Sequence, residues 1–113
     1  MKFYQSDIFQ AEFPAESFDI ITMISVLQHI GVGDYGERYT EGGDVKVIKE
    51  IARILKKYGL LLLTTPTENL AKFDDYPLKG YNYITLKVLT SEFFEIMEYE
   101  ERRGHICVAL IKR

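Results

Sequence analysis

The distribution of apolar and polar positions divides the chain into a few short elements. Phe18-Asp19-Ile20-Ile21-Thr22-Met23-Ile24-Ser25-Val26-Leu27 is nearly continuous in apolar and β-branched residues. Such a run suits a strand covered on both faces, as in a parallel sheet. A short buried helix would show the same run, but the β-branched content favours the strand. Further on, Asp44 reads as an N-cap, and Val47, Ile48, Ile51, Ile54, Leu55 and Tyr58 then follow helical spacing. Lys46, Lys49, Glu50, Arg53 and Lys56 fall toward the opposite side. Arg53, Lys56 and Lys57 sit where the helix dipole favours cations. Gly59 fits the left-handed position that ends a helix.

Leu60-Leu61-Leu62-Leu63-Thr64-Thr65 follows at once and stops at Pro66. Strand, long loop, helix and strand make a βαβ unit with parallel strands. Five of the eight glycines lie between Gly31 and Gly43, which marks the long loop. Lys2 to Phe9 suits a short strand running into a loop at Asp7, and Gln10 to Ser17 reads as a connection. Thr67 to Gly80 is polar and turn-rich, and Thr85 to Glu92 suits a short helix with Leu86 and Leu89 inward. Phe93 to Glu100 and His105 to Ile111 read as strands. The link Glu101-Arg102-Arg103-Gly104 is too short for a crossover, which makes the pair an antiparallel hairpin.

Composition narrows the class. The chain has 113 residues, 47% hydrophobic and 27% charged, which is the makeup of one small globular domain and not of a disordered segment. Fourteen basic against 17 acidic residues give a net charge of −3, spread evenly along the chain. No basic run stands out, so no nucleic-acid partner is expected. Cys107 is the single cysteine, which excludes an internal disulfide and a cysteine-cluster metal site. No His/Cys/Asp/Glu spacing points to a metal. The start lacks the apolar stretch of a signal peptide, no apolar run reaches the ~20 residues of a membrane span, and a cytoplasmic chain is expected.

Three local patterns, in order, resemble the C-terminal half of a class I S-adenosylmethionine-dependent methyltransferase of the type 11-like group. Ser6-Asp7-Ile8, Phe13-Pro14 and Ser17-Phe18-Asp19 form the first. Ser25-Val26-Leu27-Gln28-His29-Ile30 is similar to the segment after that family's fourth strand. Ile51-Ala52-Arg53-Ile54-Leu55-Lys56-Lys57-Tyr58-Gly59, followed by the leucines, is similar to the stretch before its fifth. Gly31-Val32-Gly33-Asp34-Tyr35-Gly36 also resembles a loop in a branch of methyltransferase-like proteins. The resemblance implies an α/β fold: a partial Rossmann-like sheet of parallel strands plus a C-terminal antiparallel hairpin, without the first two strands. The glycine-rich turn of the methyl-donor site lies in that part, and the first glycine here is Gly31. Tyr58 stands where the family has glycine. With the sheet neighbour of its fourth strand gone, an apolar edge is left for a second copy or a second chain to pair with.

The resemblance also assigns candidate residues. Asp7 and Ile8 would meet the adenine of S-adenosylmethionine, and Ser25, Val26 and Gln28 would line the donor pocket. His29 is the candidate for orienting a substrate or removing a proton, since imidazole titrates near neutrality. Tyr35, Glu37 and Arg38 in the glycine loop are candidate substrate contacts. The bland alternatives are an Asx turn at Asp7, core packing at Val26 and a strand-end histidine at His29. Gly31 to Gly36 formally matches G-x-G-x-x-G, but the loop runs on before the helix, unlike a phosphate-binding turn. Tyr76, Tyr81 and Tyr83 either roof an acceptor site or plug the core edge. Three functions stay open: a methyltransferase whose donor-binding half is missing from this chain, inactive alone; a non-catalytic assembly or binding module derived from that fold; and, least favoured by the spacing, a nucleotide-binding α/β module using the glycine loop.

Overall fold

The computed structural model describes residues 8–27, 42–67 and 80–113. The segment Lys2 to Ser6, expected as a strand, lies outside them.

The elements are β1 (Phe18–Ile24), α1 (Gly43–Ile54), β2 (Leu55–Pro66), α2 (Tyr83–Thr90), β3 (Phe94–Arg102) and β4 (His105–Lys112). Among the described residues the strands form one sheet in the order β1-β2-β4-β3. β1 runs parallel to β2, while β2–β4 and β4–β3 are antiparallel. The βαβ unit and the terminal hairpin are as the apolar pattern predicts.

Strand alternation sets the core. Ile21–Leu61–Leu110–Ile96 and Met23–Leu63–Val108–Tyr99 form two rows across the sheet, read from the pairing register. Most of these side chains are buried, in one cluster with Val47, Ile48, Ile51 and Ala52 of α1 and Leu86 of α2. Phe94 and Leu27 are fully buried in the same cluster. The helices therefore cover one face of the sheet.

Three local expectations are corrected. α1 ends at Ile54 and not at Tyr58, because Leu55 turns extended at φ −86°, ψ 137° while its N–H still reaches Ile51 O. The last carbonyls of the helix find other donors: Glu16 N–H reaches Arg53 O at 3.0 Å and Ser17 N–H reaches Ile54 O at 2.7 Å. Lys112 Nζ donates to Leu55 O at 2.6 Å. With those groups satisfied, burial of Leu55 against the core outweighs another turn of helix. Gly59 is likewise not the left-handed residue. That conformation belongs to Tyr58, at φ 66°, in the bulge between the pairs Phe18–Leu55 and Ile20–Leu60. Finally, Gly42 and not Asp44 is the N-cap of α1, at φ 70° with no side-chain cap. Asp44 sits inside the first turn, where a carboxylate suits the dipole.

α2 starts two residues earlier than its pattern suggests. Asn82 Oδ1 accepts from Thr85 N–H at 2.9 Å, and Asn82 N–H donates back to Thr85 Oγ1 at 2.9 Å. This reciprocal cap fixes the start. In the hairpin only Arg103 and Gly104 form the link, at φ 52° and 80°. Two positive φ values match the twist of a two-residue hairpin turn, which lets β3 run on to Arg102 while β4 starts at His105 as expected.

Candidate functional site at the carboxyl edge of the sheet

Because β1 and β2 are parallel, both end at the same edge, where open α/β sheets place ligands. At the end of β1, Ser25 takes φ 54°. Its N–H donates to Thr64 O at 3.1 Å and to Thr64 Oγ1 at 3.0 Å. This forked bond pins the strand end to β2 and turns the chain sharply across the edge. Val26 is left 42% exposed, and Leu27 drops fully into the core.

At the end of β2, Tyr81 N–H donates to Pro66 O at 3.2 Å and Thr67 N–H donates to Gly104 O at 2.8 Å. Thr67 and Tyr81 form a short parallel bridge. The buried ring of Tyr81 carries its hydroxyl to the first turn of α1, where it donates to Asp44 Oδ2 at 3.0 Å. Burial first, and then the Asp44 carboxylate, push the Tyr81 phenol well above the ordinary tyrosine range. It therefore stays protonated and acts as a fixed donor. One tyrosine thus ties the start of α1 to the end of β2.

Thr65 lies on the helix-covered face of β2 in register with Ile106 of β4. Its hydroxyl is fully buried and has no hydrogen-bond partner among the described residues. An unsatisfied buried hydroxyl costs about 1–3 kcal/mol. Thr65→Val is expected to stabilise the chain by about 1 kcal/mol, raising the melting temperature by roughly 4–6 °C. A thermal melt followed by circular dichroism checks this; a loss of stability would mean that the hydroxyl has a partner in solution.

Of the expected site residues, Ser25 and Val26 stand at this edge. Ile8 is partly buried and packs against the core cluster, as a core residue would. Asp7, Gln28, His29, Tyr35, Glu37 and Arg38 lie outside the described residues. Asp44 and Tyr81 are the pair that sequence patterns do not bring together, because nothing local links positions 37 residues apart.

A family model described as "Caenorhabditis protein of unknown function, DUF268" matches residues 6–108. The chain belongs to the DUF268 family. No curated protein matches this DUF268 sequence. Among solved structures, a SAM-dependent methyltransferase from Methanosarcina mazei superposes with a TM-score of 0.72 at 19% identity, over 95% of this chain and 65% of its own. The N-methyltransferase NodS from Bradyrhizobium japonicum, in complex with S-adenosyl-L-homocysteine, gives 0.68 at 15%, over 95% and 52%. A SAM-dependent methyltransferase from Aquifex aeolicus gives 0.71 at 13%, over 99% and 55%. These likenesses establish the fold of the DUF268 chain as a partial methyltransferase-type Rossmann-like sheet. The chain spans between about half and two thirds of each of these structures. No helix among the described residues is long and apolar enough to cross a membrane.

Proposed function

We propose that the chain is the C-terminal half of a type 11-like, S-adenosylmethionine-dependent methyltransferase domain, inactive by itself. The observation that carries this reading is the β1-β2-β4-β3 sheet, with its parallel pair, in a chain that covers 65% and 52% of two longer methyltransferases. β1 has a strand neighbour on one side only among the described residues, and Ile20 and Ile24 beside that edge are 57% and 61% exposed. A second chain, or a second copy, would complete the sheet there.

The residues at the carboxyl edge fit one wall of a donor site. Val26 offers an exposed apolar surface for a flat ring, and the turn at Ser25 is held open by two bonds to Thr64. Asp7, Ile8 and Gln28 would extend that wall, His29 would take up a proton from the acceptor, and Tyr35, Glu37 and Arg38 would contact the acceptor. When bound, S-adenosylmethionine supplies an activated methyl group; the protein's part is to position it and the acceptor.

Calorimetric titration of S-adenosylhomocysteine tests the reading. The chain alone is expected to show no saturable micromolar binding. Supplied with a segment that carries the missing glycine-rich turn, fused or as a separate chain, it is expected to bind stoichiometrically, at least tenfold more weakly with Val26→Asp. Micromolar binding by the chain alone would refute the need for a second half. Absence of binding in both cases would refute the donor site and favour a non-catalytic assembly module.

A further inference from the structure

A cleft of about 430 Å³ lies on the helix-covered side of the sheet, lined by α1, by Phe93 just before β3 and by Lys112 at the end of β4. It reaches the edge where β1 and β2 begin, opposite the carboxyl edge that holds Ser25 and Val26. Its volume falls within the ~300–1,000 Å³ of small-molecule sites. The rings of Phe9 and Phe93 and the buried Ala52 of α1 give it apolar walls. Lys46, Lys49, Arg53 and Lys112 line it against the one acid Glu50, a net charge of +3 in a chain whose total is −3.

Two of these four cations already serve the fold. Arg53 donates from Nε to Glu50 Oε2 at 3.0 Å and from Nη2 to Glu50 Oε1 and Phe13 O, both at 2.6 Å. Lys112 is held on Leu55 O. Lys46 and Lys49 are exposed and have no anionic partner among the described residues. They stand three positions apart on α1, so their ammonium groups can converge on one point.

A row of lysines on an amphipathic helix is ordinarily a solvated face. Here the row is walled. Phe9 comes from the segment before β1, 50% exposed. The half-buried Phe93 comes from the link between α2 and β3, where Arg113 N–H donates to its carbonyl at 3.0 Å. Apolar walls around charges of one sign focus their field into the space between. An inorganic anion alone would leave the rings wet, and a neutral apolar molecule would leave both lysines unpaired. One molecule that joins an apolar body to an anionic group meets both demands.

We infer that this cleft binds a small organic anion, with an aromatic or aliphatic body against Phe9 and Phe93 and a phosphate or carboxylate between Lys46 and Lys49. The cleft is on the face that the two helices already cover, away from the carboxyl edge. The inference therefore rests neither on methyl transfer nor on the strands that would join at β1, and a failed donor titration leaves it standing.

Calorimetric titration of the full chain with 1-naphthyl phosphate, 1-naphthoate, 1-naphthol and inorganic phosphate tests it. At least one of the two naphthyl anions is expected to bind saturably at one site, at least tenfold more tightly than 1-naphthol or phosphate, and the tighter anion identifies the anionic group. The double variant Lys46→Gln, Lys49→Gln is expected to weaken that anion at least tenfold; both sites are exposed, and a thermal melt is the control for folding. Phe9→Ala, also at an exposed position, is expected to weaken it at least fivefold. No saturable binding of either anion, equal affinity for 1-naphthol, or an affinity unchanged by the lysine variant would overturn the inference. So would binding to phosphatidylglycerol vesicles that neither naphthyl anion displaces, which would make the cations a lipid-surface contact.

Discussion

Replacing Gly59 with alanine is expected to destabilise the chain by about 3 kcal/mol, at the upper end of the range for overpacking a filled site. A Cβ at this position would sit 2.8 Å from Leu55 Cγ, 2.8 Å from Lys56 O and 2.9 Å from Asp19 O. Two of those three atoms belong to backbone, one of them on the neighbouring strand, so no side-chain rotation relieves them. Differential scanning calorimetry should show a melting temperature roughly 10–20 °C lower. A change below 2 °C would mean that the bulge re-forms at no cost. The adjacent residue gives the opposite sign. Tyr58 holds φ 66°, a conformation that costs a non-glycine residue about 1–2 kcal/mol. Tyr58→Gly is therefore expected to stabilise, less the small cation–π contact from Lys57 Nζ, 5.2 Å from the ring centre.

Tyr81→Phe is expected to cost about 2 kcal/mol, the usual loss for a hydrogen bond to a charged group in a partly buried setting. The same variant carries a pH signature. In the unfolded chain the phenol titrates near pH 10. In the fold, burial and then Asp44 hold it protonated to higher pH. Its contribution to stability is therefore complete below about pH 10 and is lost as the pH rises beyond that. Urea denaturation at pH 8, 10 and 11 checks this: the parent should lose stability across the series, and Tyr81→Phe should lose measurably less. Equal slopes would place the Tyr81 hydroxyl in contact with water.

Much of this architecture is legible in local pattern. The run from Phe18 to Leu27, the helical spacing behind Asp44 and the four leucines before Pro66 specify two strands and a helix. Their period depends only on which face meets a core. The four-residue link after Glu100 specifies a hairpin because no crossover fits in it. The cap of α2 was also present as a signal, an Asn three residues before a Thr, although the apolar pattern alone starts at Thr85. Ser25 and Val26 lie at the end of the first apolar run, and the parallel pairing carries them to the carboxyl edge. Asp44 and Tyr81 had no such signal, since each is an ordinary loop or cap residue until the bridge at Thr67 brings the two together.

Alternation and spacing alone determine that this chain makes a βαβ unit followed by a hairpin, with one apolar stripe on its helix. Tertiary structure decides where the helix stops, which of Tyr58 and Gly59 is left-handed, and what Asp44 holds. It also decides that Glu95, Glu98 and Glu100 share the sheet face opposite the helices with Ile20 and Ile24. The division has one physical cause. Periodicity records each segment's demand for burial, whereas helix ends, close approaches and charge patterns depend on donors, backbone atoms and side chains contributed by segments remote in the chain.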